Sequence, residues 1–153
     1  MLERCEYTVF KVCYMFTDRK KDHVRDLFQE VVYNLWRGYG DYRGESREST
    51  WVYRVALNTA LMHKRRHRRA PVMVTLDEAT YHTLAESAKD ELVERLYELI
   101  DLLKDEDKEL IFLYLDGLTA KEAAEVTGKA ESTVKNRLQK IKQELKKMNE
   151  DEE

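Results

Sequence analysis

LTAKEAAEVTGKAESTVKNRLQKI, residues 118–141, holds two short helical patterns on either side of a single glycine. Thr119 and Glu122 have the spacing of a capping box, in which the threonine closes the first turn and the glutamate reaches back. Ala123 and Ala124 are small enough for a second helix to cross closely behind them. Gly128 stands where a sharp turn needs a residue tolerant of positive φ. Val134, Leu138, Ile141, Leu145 and Met148 then alternate steps of four and three, which is one buried helical face. Ser132, Thr133, Lys135, Asn136, Gln139, Lys140 and Gln143 are left outward. The pattern is a helix-turn-helix, and hydroxyls, an amide and cations on its second helix suit base edges and phosphates in a major groove. A plain helical hairpin would share the stripe; the capping box, small pair, placed glycine and basic second helix together favour DNA binding.

The rest of the 153-residue chain reads the same way. It is 42% hydrophobic and 37% charged, with five glycines and one proline. That is apolar enough for packed cores and too poor in turn residues for an all-β protein. Val24, Leu27, Phe28, Val31, Val32 and Leu35 recur at helical spacing, opposite Arg25, Asp26, Gln29, Glu30 and Asn34. Gly38, Gly40 and Gly44 mark a loop. A second amphipathic stretch follows from about 50 to 69, with Val52, Val55, Ala56, Thr59 and Met62 on one side. Pro71 follows it and biases the chain out of helix. Leu92, Leu96, Leu99, Ile100 and Leu103 resume the period, followed by Leu110, Ile111, Leu113 and Tyr114, and Asp116-Gly117 ends that helix. The expected architecture is all-α: a helical domain at 1–69, a linker at 70–90, and a second helical domain at 91–153 carrying the helix-turn-helix.

Charge is distributed in blocks. Residues 1–70 carry +6, 71–116 carry −9, 117–147 carry +4 and the tail 148–153 carries −4, within a net charge of −3. Local clusters, not the sum, govern phosphate binding. The sharpest is HKRRHRR at 63–69. The acid-rich stretch Asp101–Asp107 reads as a solvated helix end and loop. No apolar run is long enough to span a membrane, and the first residues lack the pattern of a secretory signal. A cytoplasmic protein is expected.

Little in the sequence suggests an enzyme. There is no phosphate-binding GxxxxGK[ST] loop and no GxGxxG turn. His63 and His67 stand four apart but have no third ligand nearby, so neither a metal nor a cofactor is read. Cys5 and Cys13 do not have the spacing of zinc ligands and read as small buried apolar residues.

Between 39 and 65, Tyr39, Tyr42, Trp51 and Tyr53 alternate with Arg43, Arg47, Arg54 and Arg65. Aromatics stack on unpaired bases while arginines follow the backbone, the means of holding a single strand. At this point the sequence resembles the extracytoplasmic-function sigma factors, two-domain promoter-recognition subunits of bacterial RNA polymerase. The resemblance is carried by DLFQEVVYNLW (26–36), YRGES (42–46), TWVYRVALNTA (50–60) and the basic run after it. It continues in LIFLYLDGLTAKEAAEVTG (110–128) and STVKNRL (132–138), in order and across nearly the whole chain.

The resemblance implies roles by position. Asp26, Gln29, Glu30, Asn34 and Arg37 fall on the helix that docks on the polymerase clamp. Tyr42, Arg43, Gly44, Glu45 and Ser46 fall on the loop that pockets a base flipped from the −10 element, and Asn58 on a position that touches promoter bases during melting. Trp51 and Tyr53 flank it, and Lys64, Arg65, Arg66, Arg68 and Arg69 would hold DNA backbone. Glu131, Ser132, Thr133, Lys135, Asn136, Arg137 and Lys140 fall on the helix that reads the −35 element. Asp77, Glu78 and Glu86 in the linker would mimic RNA in the exit path. Core polymerase, promoter DNA and an anti-sigma factor are the implied partners.

The resemblance has departures. The family has another helix of roughly 20 residues before the segment with which this chain begins. Lys129 stands where an apolar residue is usual, Lys104 replaces a frequent proline, and Ala130 lacks a capping oxygen. Two other readings compete: a helix-turn-helix repressor or activator binding a palindrome alone, and a helical docking protein that binds no DNA.

Overall fold

The computed structural model describes residues 2–66 and 91–151. They form helices α1 (Leu2–Met15), α2 (Lys21–Gly38), α3 (Glu48–Arg66), α4 (Glu91–Asp101), α5 (Asp105–Leu115), α6 (Ala120–Thr127) and α7 (Glu131–Asp151). A 3₁₀ turn, Tyr39–Asp41, lies between α2 and α3. Residues Met1–Ser87 and Ala88–Glu153 form two compact units. The expected linker at 70–90 lies outside the described residues.

In the first unit α1, α2 and α3 pack pairwise. Val9, Val12 and Cys13 of α1, Val24, Leu27, Val31 and Leu35 of α2, and Val52, Ala56, Leu57 and Ala60 of α3 close its core. Each fully buried leucine among them contributes about 1.5–3 kcal/mol relative to exposure. Two apolar positions differ from the sequence reading. Phe28 is only half-buried, and Met62, expected on the inner side, is 57% exposed. The reason is that α3 is covered by two helices at once. Its buried arc is wide and runs through Tyr53, Leu57, Thr59 and His63 as well, so it is rotated away from Met62. Arg25, read on the polar side of α2, is buried, with Asp22 4.0 Å away.

Cys5 and Cys13 are both buried. Eight residues of helix separate them by roughly 12 Å along the axis, about twice the Cα separation of a disulfide. Burial pushes both thiols up, that of Cys13 strongly. In the native protein at pH 8, Cys13 should alkylate at least about tenfold more slowly than in denaturant, because the thiolate is the reactive form. Quantitative labelling with iodoacetamide, read by peptide mass, measures this; equal rates would mean that α1 opens freely.

The second unit packs α4, α5 and α6 against α7. Thr119 and Glu122 form the capping box, Oγ1 accepting from the Glu122 N–H at 3.2 Å and the Thr119 N–H donating to Oε1 at 3.0 Å. Gly128 ends α6 at φ 74°, its N–H bonded to the Ala124 carbonyl. Gly117, at φ 91°, ends α5 with a paired closure: its N–H reaches Tyr114 O and that of Leu118 reaches Leu113 O. Val134, Leu138, Ile141 and Leu145 are buried along α7. Leu92, by contrast, is 79% exposed although it shares the period of α4.

The acid-rich stretch is not simply solvated. Asp107 and Lys108 are 4% and 5% exposed. Asp107 accepts two hydrogen bonds from Arg137 on α7, at 2.6 and 2.5 Å. Lys108 donates to Asp101 on α4 at 3.0 Å. Lys129 reaches the acidic side of α5, 3.8 Å from Glu106, which explains why a cation is accommodated in this turn. At Lys104 the backbone φ is −64°, the value a proline ring fixes, so either residue suits the position.

Candidate nucleic-acid interface

Two surfaces, one on each unit, carry the residues singled out from the sequence. The first is the outer face of α3. Arg47, Arg54, Asn58, Met62 and Arg65 are exposed and recur with Trp51 at steps of three and four. The Asn58 side chain is exposed and makes no hydrogen bond to a described residue, so its amide donor and acceptor face solvent. Trp51 is half-buried because it serves as a floor: its ring stacks on Tyr42 at 5.3 Å and meets Tyr39 at 6.2 Å. Gly38 ends α2 against the same ring, where an added Cβ would lie 3.3 Å from it. The Tyr42 hydroxyl donates to the Ser46 carbonyl and ties the loop, while Arg43, Gly44 and Glu45 are exposed. Gly44 has φ 73°, a value that a side chain would strain.

Tyr53 departs from the expectation. It is 8% exposed and part of the core, because it lies two residues on from Trp51 and so on the opposite side of α3. Tyr39, one of the four alternating aromatics of the sequence, stays with Trp51 and Tyr42 in the aromatic group.

On α2 the five polar positions separate. Glu30 lies 2.7 Å from His63 Nδ1 and also pairs with Arg66. Asp26 lies 3.7 Å from His63 Nε2, and Asn34 donates to Thr59 Oγ1 at 3.0 Å. These three therefore turn toward α3, where they lock the two helices together. His63 is buried as their partner. Gln29 is half-buried and Arg37 exposed. Arg37 lies over the Tyr33 ring at 6.0 Å, and Trp36 beside it is 70% exposed. Arg66 is held by Glu30, Lys64 is half-buried, and Arg65 is exposed. His67, Arg68, Arg69, Asp77, Glu78 and Glu86 lie outside the described residues.

The second surface is the start of α7. Glu131, Ser132, Thr133, Lys135, Asn136, Gln139 and Lys140 are all exposed, as the stripe requires. Arg137 is the exception, since its guanidinium is clasped to Asp107. The hydrogen bonds that it donates to Asp107, and then the Asp107 charge, hold Arg137 above its ordinary range. No described helix is long and apolar enough to cross a membrane.

The chain was compared with known proteins. The family model of sigma-70 region 2 matches residues 1–70, and that of sigma-70, region 4 matches residues 93–145. The RNA polymerase sigma-H factor of Pseudomonas aeruginosa is 28% identical over 137 residues, spanning 80% of this chain and 71% of its own. The ECF RNA polymerase sigma factor SigG of Mycobacterium tuberculosis is 31% identical over 93 residues, 61% of this chain and 25% of its own. Among solved structures, the sigma factor RpoE in complex with the anti-sigma factor NepR, from Bartonella quintana, has the same fold. The TM-score is 0.69 at 18% identity, over 97% of this chain and 94% of that one.

Proposed function

Because the chain belongs to the sigma-70 family, as a sigma factor of the extracytoplasmic-function type with region 2 followed by region 4, we propose that its two exposed surfaces divide promoter recognition between them. As a sigma factor, the chain directs RNA polymerase to promoters and acts with the core enzyme rather than as a free repressor or activator. The outer face of α3 takes the −10 element and the start of α7 takes the −35 element. The observation that carries this is the sequence of groups along α3. An aromatic platform of Trp51, Tyr42 and Tyr39 lies at one end with Arg47 and Arg54 beside it, the Asn58 side-chain amide stands in the middle, and Arg65 lies at the other end.

Rings of this kind stack on unpaired bases while arginines along the face follow the backbone. Flipping a base costs a few kcal/mol, least in A·T-rich steps, and is offset by stacking and by a shaped pocket. The loop of Tyr42, Arg43, Gly44, Glu45 and Ser46, with Trp51 behind it, supplies the pocket. Lys64 and Arg65 contact the backbone of the adjoining duplex. On α7, Asn136 and Lys140 address base edges, while Ser132, Thr133 and Lys135 address phosphates. Core polymerase docks on the exposed side of α2, at Gln29 and Arg37 with Trp36; Asp26, Glu30 and Asn34 shape that helix from behind. Melting in this reading needs no catalytic group of the chain, so it is not an enzyme. It acts in the cytoplasm with the polymerase. The solved relative is bound to an anti-sigma factor, and a regulator of that class is the third partner proposed for this chain.

Run-off transcription with purified core polymerase on genomic promoter fragments tests the reading. Chain-dependent initiation at a defined start site is expected. Binding of the chain alone to a palindromic site, without initiation, would overturn it in favour of a free regulator.

A further inference from the structure

We propose that Thr59 and His63 are positioning residues for promoter opening, holding α3 at one register on α2 so that the −10 face meets DNA correctly once α2 has docked on polymerase. This rests on the reading of α2 as the polymerase side and α3 as the −10 side. It gives a role to two polar residues that lie on neither surface. Thr59 is 4% exposed and His63 7%.

Apolar packing alone sets this register loosely. Val24, Leu27, Val31 and Leu35 of α2 are fully buried, as are Ala56 and Ala60 of α3. Burial of such side chains is non-directional, and the two alanines leave a smooth strip on α3. Hydrogen bonds are directional. Asn34 donates to Thr59 Oγ1 at 3.0 Å, and that hydroxyl donates in turn to the Val55 carbonyl at 2.6 Å, so its accepting side is fixed. One turn further on, both ring nitrogens of His63 face carboxylates of α2, Nδ1 at 2.7 Å from Glu30 and Nε2 at 3.7 Å from Asp26. Glu30 also pairs with Arg66. The seam descends α2 from 34 through 30 to 26 as it ascends α3 from 59 through 63 to 66, roughly 10–12 Å by helical rise. A slip of one turn, about 5.4 Å, would break every link. Fixing register is what buried polar pairs are best known to do.

The seam borders the DNA face. Thr59, His63 and Arg66 each follow by one residue a member of the exposed stripe: Asn58, Met62 and Arg65. Whatever holds the seam therefore holds Asn58 and Arg65. Polymerase on the outer side of α2 is joined to those groups through α2 and the seam. Where groups act by position, a misplacement of about 1 Å can cost about a hundredfold in rate. A seam that loosens without parting should cost less.

The test uses holoenzyme containing wild type, His63→Leu, His63→Gln, or Asn34→Leu paired with Thr59→Val. Leucine has the branching of asparagine and valine that of threonine, so the paired variant keeps the shape of the contact and removes donor and acceptor together. Three quantities are read: the tryptophan fluorescence transition of the chain in urea, affinity for core polymerase, and the opening rate on a duplex promoter found by run-off transcription. The paired variant should keep the transition and the affinity of wild type and open the duplex about tenfold more slowly. His63→Leu should be slowed at least as much, and His63→Gln, which keeps a donor for Glu30, should recover most of the rate. Should His63→Leu not fold, the paired variant decides alone. Wild-type opening by the paired variant would overturn the positioning role and leave the −10 reading standing. Opening that falls only as far as core affinity or stability falls would overturn it too. Failure of wild type itself to open the duplex would remove the −10 reading, and the positioning role with it.

Discussion

Replacing Asn58 with alanine should slow open-complex formation on a duplex promoter by about ten- to a hundredfold while leaving the fold and the polymerase complex intact. The size follows from what a side-chain amide can do. One donor and one acceptor on the same group can pair with two atoms of a base edge, worth about 1–3 kcal/mol, and each 1.4 kcal/mol or so is a factor of ten. In the free chain the Asn58 side chain is exposed and makes no hydrogen bond to a described residue, so its loss leaves nothing inside the protein unpaired. Trp51→Ala should reduce opening too, but it also removes the ring on which Tyr42 and Tyr39 rest. Any loss there mixes a missing platform with a slack loop. Asn58→Ala is therefore the cleaner measurement. Stopped-flow opening on linear duplex, beside a binding titration of core polymerase, separates the two steps. Normal opening by Asn58→Ala would move base recognition to another face of the unit.

How much of this could be read from the residues alone depends on the range of the interaction. The helix-turn-helix was legible because its signals are local. A capping box spans three residues, the positive-φ glycine acts on its own turn, and the α7 stripe repeats every three or four. The same holds for the exposed polar positions from Ser132 to Lys140. What periodicity could not give was the width of a buried arc when two helices cover a third: Met62 shares the apolar period yet is exposed, and Tyr53, close to Trp51 in sequence, is buried. Nor could it give contacts between residues some thirty positions apart. Glu30 with His63 and Asp107 with Arg137 are charges that look solvent-facing in sequence and are paired across helices in the fold. The resemblance implies a polymerase-docking helix that carries Asp26, Gln29, Glu30, Asn34 and Arg37. Which of its polar residues face outward depends on where α3 lies, and Asp26, Glu30 and Asn34 turn out to face it.

Arg137 shows what that pairing implies. Arg137→Ala should destabilise the second unit by about 2–3 kcal/mol, through Asp107 rather than through DNA. The carboxylate is 6% exposed as a side chain, and removing its guanidinium leaves a buried charge with both its hydrogen bonds gone. Breaking a fully buried pair costs about 3–5 kcal/mol. Here the guanidinium is 42% exposed, so water can enter where it leaves, which places the cost at the lower end. Replacing both partners by apolar residues, Asp107→Leu with Arg137→Met, should cost less than Arg137→Ala alone, because no orphaned charge remains. The unfolding probes separate the units, since both tryptophans, Trp36 and Trp51, lie in the first. Arg137→Ala should therefore shift the far-ultraviolet circular dichroism transition in urea and leave the tryptophan fluorescence transition in place. If the single variant stayed within about 0.5 kcal/mol of wild type, the clasp would rank with ordinary surface ion pairs, and Arg137 would return to the residues free to meet the −35 element.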